Sequence, residues 1–231
     1  MKPSGPLHLY QEVMLLSLRG EKGTIESGTM YQYAIGGAVL AELILEGKIG
    51  IQERRKKKFA VTADSSRTGD DLLDECLQKV RDAKRPAQLQ TWVSKFAGVK
   101  KLKHRVAQSL VRKRILEMEE SLILGLFTRK VYPEINSKPE AELRERLRQA
   151  IFTDVTDIDP RTVVLMSLAK AGNLLQVAFN KKELKARKQR IEDVINGDVA
   201  GSATKEAIEA MQAAIFVATM IPVIVSTTAT T

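Results

Sequence analysis

The fold class can be predicted from residues 29–46, TMYQYAIGGAVLAELILE. Leu40, Leu43 and Ile44 are three or four residues apart, so they share one face of a helix, and Gly47 is a favoured helix stop. We therefore predict a mostly α fold: a single helical domain over residues 1–231, with amphipathic surface helices and one or two small β-hairpins. The helical period recurs at 8–18, 71–83, 99–114, 139–152, 159–179 and 181–196.

Residues 48–62 break the helical pattern. KIGIQ and FAVTA have the composition of two strands, and ERRKKK between them has that of a basic turn, so we predict a hairpin. Its tip carries a secondary basic cluster made of Arg54, Arg55, Lys56, Lys57 and Lys58.

The overall composition indicates a soluble globular protein, because 44% of the 231 residues are hydrophobic and 28% are charged. The single cysteine, Cys76, excludes an internal disulfide, and we expect it to be a small buried residue. MKPSGPLHLYQ has no long apolar core, so no secretory signal is expected there. The longest apolar stretch, 213–225, is too short to span a bilayer and contains Pro222, so we interpret it as a buried core helix.

Positive charge is in excess and is clustered. The chain carries a formal charge of +9, which favours an anionic partner such as a membrane surface or a nucleic acid. Besides the turn at 54–58, residues 100–114, KKLKHRVAQSLVRKR, concentrate lysine and arginine on a predicted helix. We expect Lys100, Lys103 and His104 near one face of that helix. A solvated helix face is the alternative explanation, since cations at a helix C-terminus are favoured anyway.

Enzyme motifs are missing from the sequence. There is no GxSxG, P-loop or HExxH motif, and His8 and His104 are the only histidines. The paired glycines at 36–37 are better explained by close helix packing than by dinucleotide binding. The acids at 70–74 lie at a predicted helix start, where Asp70 is a candidate cap. We predict no catalytic residue, no metal site and no cofactor.

An apolar run without alternation follows the basic helix, in EESLILGLFTRK at 119–130. It can be drawn as a hairpin with EES near the turn. Apolar residues at consecutive positions need cover on both faces, so one interpretation is a buried strand. The other is an apolar patch that projects from the fold, and such patches mark contact with a membrane or a protein. The residues alone leave both open.

Several stretches together resemble the Golgi phosphoprotein 3 family of peripheral membrane proteins, which bind phosphatidylinositol 4-phosphate. They occur in the family's order and cover nearly the whole chain: LHLYQEVMLLSL, GGAVLAELILEGKI, RTGDDLLDECL, HRVAQSLVRKRIL and DPRTVVLMSLAKAGNLL. The resemblance implies a central helix bundle and an apolar hairpin that enters the bilayer after the basic helix. The inserting residues would then be Leu122, Ile123, Leu124, Leu126 and Phe127.

The headgroup site implied by this resemblance is altered here. A family tryptophan and a family arginine fall at Ser27 and Gly36, which cannot do the same work. Two further family arginines fall at Lys100 and Lys103, which keep the charge but lack the bidentate guanidinium. We therefore expect general anionic-lipid binding, with Lys100, Lys103 and Arg105 contacting headgroups, and phosphatidylinositol 4-phosphate as a candidate lipid.

The resemblance also bears on partners and location. It implies a cytoplasmic protein held peripherally on a membrane, the Golgi in a eukaryote or the inner face of the membrane in a bacterium. Cytoplasmic tails of membrane proteins are candidate clients for an adaptor, and a homo-oligomer is a further candidate state. The rival prediction is a winged-helix-like nucleic-acid-binding protein that uses the basic hairpin 48–62, because helix, strand, basic turn and strand follow one another there.

Overall fold

The computed structural model describes residues 6–123, 127–196 and 212–221. It is mostly α-helical with small antiparallel strand pairs, which confirms the predicted fold class. The helices are α1 (Leu9–Ser17), α2 (Tyr31–Leu45), α3 (Asp71–Arg81), α4 (Leu89–Ala97), α5 (Leu102–Arg112), α6 (Lys138–Phe152), α7 (Pro160–Ala171), α8 (Leu175–Ala178), α9 (Lys181–Ala186), α10 (Lys188–Asn196) and α11 (212–221). The strands are β1 (Leu18–Arg19), β2 (Thr24–Ile25), β3 (Ile49–Arg54), β4 (Lys57–Thr62), β5 (Ala87–Gln88), β6 (Glu119–Ile123) and β7 (Phe127–Val131).

Residues 29–46 contain the central helix of the fold, α2. Every residue of α2 from Ala34 to Ile44 is buried, because α1, α4, α7 and α11 pack around it. The paired glycines make this possible: a Cβ at Gly36 would lie 2.7 Å from both Val93 O and Ala97 N of α4. The predicted explanation, close helix packing, is confirmed.

A buried ion-pair network joins the central helices. Arg161 on α7 donates to both carboxylate oxygens of Glu42 on α2, at 2.8 and 3.0 Å. Arg146 on α6 pairs with Glu12 on α1, a carboxyl whose pKa burial raises against the lowering effect of the two arginines. Because Glu12 and Glu42 lie inside the bundle, these guanidinium groups are what make their charges tolerable.

Two helix starts and the cysteine agree with the sequence predictions. The Asp70 side chain accepts hydrogen bonds from the backbone N–H groups of Leu72 and Leu73, and Asp159 caps α7 through Thr162 N. Cys76 is fully buried, and burial raises the pKa of its thiol to about 12. The core helix predicted over 213–225 is confirmed over 213–221, where Ala214, Val217, Ala218 and Ile221 are buried, and the rest lies outside the described residues.

Two long predicted helices are broken in the structure. The helix predicted over 159–179 ends at Ala171, because Asn173 adopts a left-handed conformation (φ 63°) and α8 starts afresh at Leu175. The helix predicted over 181–196 is divided into α9 and α10 at Arg187. The basic helix predicted over 99–114 begins only at Leu102, since Lys101 is also left-handed (φ 55°).

The predicted hairpin at 48–62 is confirmed as β3 and β4, and β5 extends it to three strands. Its two-residue turn, Arg55 and Lys56, has positive φ at both positions, the backbone of a tight hairpin turn that usually uses asparagine and glycine. Arg54, Arg55, Lys56 and Lys57 are exposed at the turn end of the hairpin. Lys58 is partly covered, and its Nζ lies 4.2 Å from the centre of the Phe216 ring.

Candidate functional site

The β6–β7 hairpin extends away from the helical body. Residues 127–130 of β7 are exposed at four consecutive positions, and successive strand residues point to opposite faces, so neither face of that strand is covered. Leu122 of β6 is 69% exposed and Phe127 of β7 is 67% exposed. These two apolar side chains therefore do not belong to the core, and the buried-strand interpretation is wrong for them.

The base of the hairpin is firmly held. Val131 and Tyr132 are buried, and Tyr132 N donates to Gly23 O at 2.9 Å. Glu117 N donates to Pro133 O, and a further bridge joins Leu116 to Glu134. An anchored base with apolar side chains at its outer end is the geometry expected of a projecting ribbon.

The sequence prediction about the hairpin turn needs correction. EES begins β6 at the base of the ribbon, where Glu119 is opposite Val131, and not near the turn. The strands pair up to Ile123 opposite Phe127. Leu124 and Leu126, two of the predicted inserting residues, lie outside the described residues, and for Ile123 only the backbone is described.

A cluster of cations lies beside the hairpin, and we call it the basic patch: Lys101, Lys103, Arg129 and Lys130, which surround the His104 imidazole. Burial and then the charge of Arg129 lower the pKa of Lys103, so the β7 arginine lies near this α5 lysine. Burial, followed by Lys103, Lys130 and Lys101, lowers the pKa of His104. Mutual repulsion of this kind indicates a positive surface that an anion would stabilise.

Among the described residues, the basic patch has no neutralising ion pair. In the described ranges no carboxylate lies within ion-pair distance of Lys101, Lys103, Arg129 or Lys130. Glu120 is opposite Lys130 in the strand register and offsets part of its charge without contacting it at that distance. Arg129 and Lys130 were not among the predicted site residues; their position directly after the apolar run was the signal that could have found them.

Two of the three predicted headgroup residues lie elsewhere. Lys100 precedes α5, in the turn after α4, so it does not share the helix face of Lys103; it lines a recess with Trp92 and Lys95 instead. Arg105 forms a salt bridge with Glu75 of α3. Positions two apart on a helix point in nearly opposite directions, so Arg105 faces away from Lys103.

The structure explains one of the two positions, Gly36 and Ser27, at which the chain departs from the family that it resembles. Gly36 has no room for any side chain, because α4 backbone atoms occupy the space. Ser27 is exposed in the turn before α2, where Asn173 Nδ2 donates to the neighbouring Gly28 O at 3.2 Å. An arginine at position 36 is therefore incompatible with this packing.

The most plausible metal-ligand group serves another purpose. His8, Glu42 and Glu46 each offer one ligand atom within 4.8 Å of the others. Glu42, however, already binds Arg161 through both oxygens and accepts from Leu9 N. Its hydrogen bond to His8 raises the pKa of that imidazole. An ion-pair network that fastens the start of α1 to α2 and α7 explains the group.

The comparison with known families agrees with this geometry. Within the described ranges, no helix combines the length and apolar character needed to cross a bilayer. A family model for Golgi phosphoprotein 3 (GPP34) matches residues 9–211, which is most of the chain. The chain therefore belongs to the Golgi phosphoprotein 3 family.

Proposed function

We propose that the protein attaches peripherally to anionic membranes through the β6–β7 hairpin and the basic patch, without a catalytic role. One observation carries the proposal: Leu122 and Phe127 are both about two-thirds exposed on a ribbon whose neighbouring cations have no carboxylate within ion-pair distance in the described part of the chain. Large exposed apolar side chains cost solubility unless they contact something. A bilayer offers an apolar interior and an anionic surface together.

The energies are sufficient for reversible attachment. Each lysine or arginine near an anionic surface contributes on the order of 1 kcal/mol. A fully buried Leu or Phe side chain adds about 1.5–3 kcal/mol, and partial insertion adds less. A total near 8 kcal/mol corresponds to a dissociation constant of about 1 μM before ordering costs. Neither the charge nor the apolar contact suffices alone, as is usual for peripheral proteins.

The lipid preference we propose is for anionic charge and not for one headgroup. Gly36 leaves no room for an arginine, Arg105 is paired with Glu75, and Lys100 lies outside α5. Of the basic patch only Arg129 has a bidentate guanidinium, and its lysines bind phosphate as point charges. Phosphatidylinositol 4-phosphate should then bind no more tightly than another anionic lipid that supplies the same negative charge. Capture of membrane-protein tails and self-association stay predictions.

Vesicle flotation tests the proposal. Vesicles of phosphatidylcholine alone, with phosphatidylserine, and with phosphatidylinositol 4-phosphate at matched total charge form three arms. Flotation with both anionic mixtures, lost at high salt, supports the proposal. Flotation with none of them, while a DNA duplex is shifted in a mobility assay through Arg54–Lys57, would favour the nucleic-acid prediction instead. Flotation with only the phosphoinositide would contradict the proposed charge preference.

A further inference from the structure

A second charged surface lies on the C-terminal helices. A groove of about 390 Å³ opens between the end of α7 and helices α8, α9 and α10. Its apolar floor consists of Leu175, Leu184 and Ile191. Leu175 and Ile191 are each 6% exposed, so they are nearly covered already, whereas Leu184 is half-buried and lies open to the groove.

The rim of the groove is basic. Lys170 is neutralised, because its Nζ lies 2.6 Å from each carboxylate oxygen of Glu192. The other three lysines of the lining, which we call the basic rim, are Lys181, Lys185 and Lys188. All three are exposed, and none has a carboxylate within ion-pair distance among the residues described. Lys181 and Lys185 are one helical turn apart, so they project on the side of α9 that also presents Leu184.

The combination selects the chemistry of a ligand. A free phosphate would use the basic rim but would leave the apolar floor wet, and a neutral apolar ligand would leave three cations unpaired. A segment with carboxylates on either side of an apolar side chain satisfies both. Ligand pockets of about 300–1,000 Å³ are common, and this volume suits a few side chains and not a folded domain.

We propose that this groove docks a short acidic peptide segment of a partner protein, with carboxylates on the basic rim and an apolar side chain over Leu184. The argument is charge complementarity, and it is independent of membrane attachment. The partner is therefore acidic, in contrast to the anionic lipid surface that the basic patch contacts. Such a site lets a membrane-attached protein hold a second protein.

The experiment starts from a phage-displayed random peptide library selected on the intact protein, which imposes no composition on the ligand. The consensus peptide is synthesised with a fluorescent label, and its affinity is measured by fluorescence anisotropy. Lys181→Glu with Lys185→Glu reverses the rim, and Leu184→Ser removes the apolar contact. Lys84→Glu with Arg85→Glu is the matched control, because those cations are exposed and make the same change in net charge away from the groove. Thermal melting and vesicle flotation accompany each variant.

The expected consensus is acidic with at least one apolar residue. Its affinity should fall about tenfold or more in the rim variant and in Leu184→Ser, and little in the control. Vesicle flotation should be unchanged in the rim variant, which separates this proposal from membrane attachment. A consensus without acids, no enriched peptide, or equal losses in the rim and control variants would overturn it. So would loss of vesicle flotation in the rim variant, since the occupant would then be lipid.

Discussion

His104 Nδ1 lies 2.9 Å from the Tyr132 hydroxyl, so the basic helix and the base of the projecting hairpin are joined by a hydrogen bond. Tyr132 is completely buried and its backbone N–H is held by Gly23 O. The hairpin therefore leaves the body at a fixed point on α5. This brings the cations of α5 and β7 to one surface, with the apolar end of the ribbon beyond them.

Charge reversal in the basic patch should abolish membrane binding. Lys103→Glu with Arg129→Glu replaces two adjacent cations with anions, so phosphatidylserine vesicles should be repelled and flotation lost. Arg105→Gln is the comparison variant. Because Arg105 pairs with Glu75 of α3, we expect this substitution to leave flotation nearly unchanged. Equal losses in both variants would mean that the whole of α5 contacts lipid.

The exposed apolar residues should be needed for binding but not for folding. Leu122→Asp with Phe127→Asp should prevent flotation, because two carboxylates cannot enter the apolar layer. The free energy of unfolding should change by no more than about 0.5 kcal/mol per site, as for other surface substitutions. Chemical denaturation measures that value, and a loss of several kcal/mol would show that the two side chains are packed in the core.

The sequence predicted the helices better than their ends. The helical periodicity of apolar residues predicted the segments that form α1, α2, α3 and α6. Acidic residues before apolar runs predicted the helix caps at Asp70 and Asp159. The break after α7 was missed although glycine and asparagine at 172–173 are typical of a helix stop. The apolar periodicity continues across that break, which is why the pattern predicted one helix.

The site was less accessible to sequence reasoning, because it depends on contacts between distant segments. Arg105 and Glu75 are separated by thirty residues, and no local pattern shows that they pair. Lys103 and Arg129 are 26 positions apart in the sequence and lie near each other in the fold, where the hairpin base is hydrogen-bonded to α5. The apolar run itself was evident, but whether it was buried depended on what covers it, which the sequence does not encode locally.

Helix packing at Gly36 should make that position intolerant of any side chain. Gly36→Ala places a methyl group 2.7 Å from Val93 O, so α2 and α4 must separate, and we expect a loss of about 1–3 kcal/mol in unfolding free energy. Gly50→Ala is the matched control, because its Cβ would be 3.6 Å from its nearest neighbours. Equal stability of the two variants by denaturant titration would refute the close approach.

The carboxyl pair Glu134 and Glu140, near the hairpin base, should make the folded protein less stable as pH rises. Burial, and then the charge of Glu140, raise the pKa of Glu134 to about 7. The folded state thus binds a proton that the unfolded chain releases near its ordinary, lower pKa. That stabilisation is complete at acidic pH and is lost as pH rises through about 7.

Glu134→Gln should remove this contribution, since the amide does not titrate. Wild type and variant should therefore differ in the slope of unfolding free energy between about pH 5 and about pH 8, with the variant declining less. Arg144 pairs with Glu140 in both proteins, so the effect of this ion pair on stability cancels when the two slopes are compared. Identical slopes would show that Glu134 ionises normally.

Insertion of the hairpin end is the central claim, and a site-specific fluorophore tests it most directly. Cys76 is buried with a thiol pKa of about 12, so a thiol reagent should label Leu122→Cys selectively in the folded protein. A polarity-sensitive dye there should shift to shorter wavelength when phosphatidylserine vesicles are added, and the shift should be quenched by lipids brominated in the acyl chain. The same dye at the exposed Ser94→Cys should not respond. Binding to the vesicles with no shift and no quenching at position 122 would contradict the account.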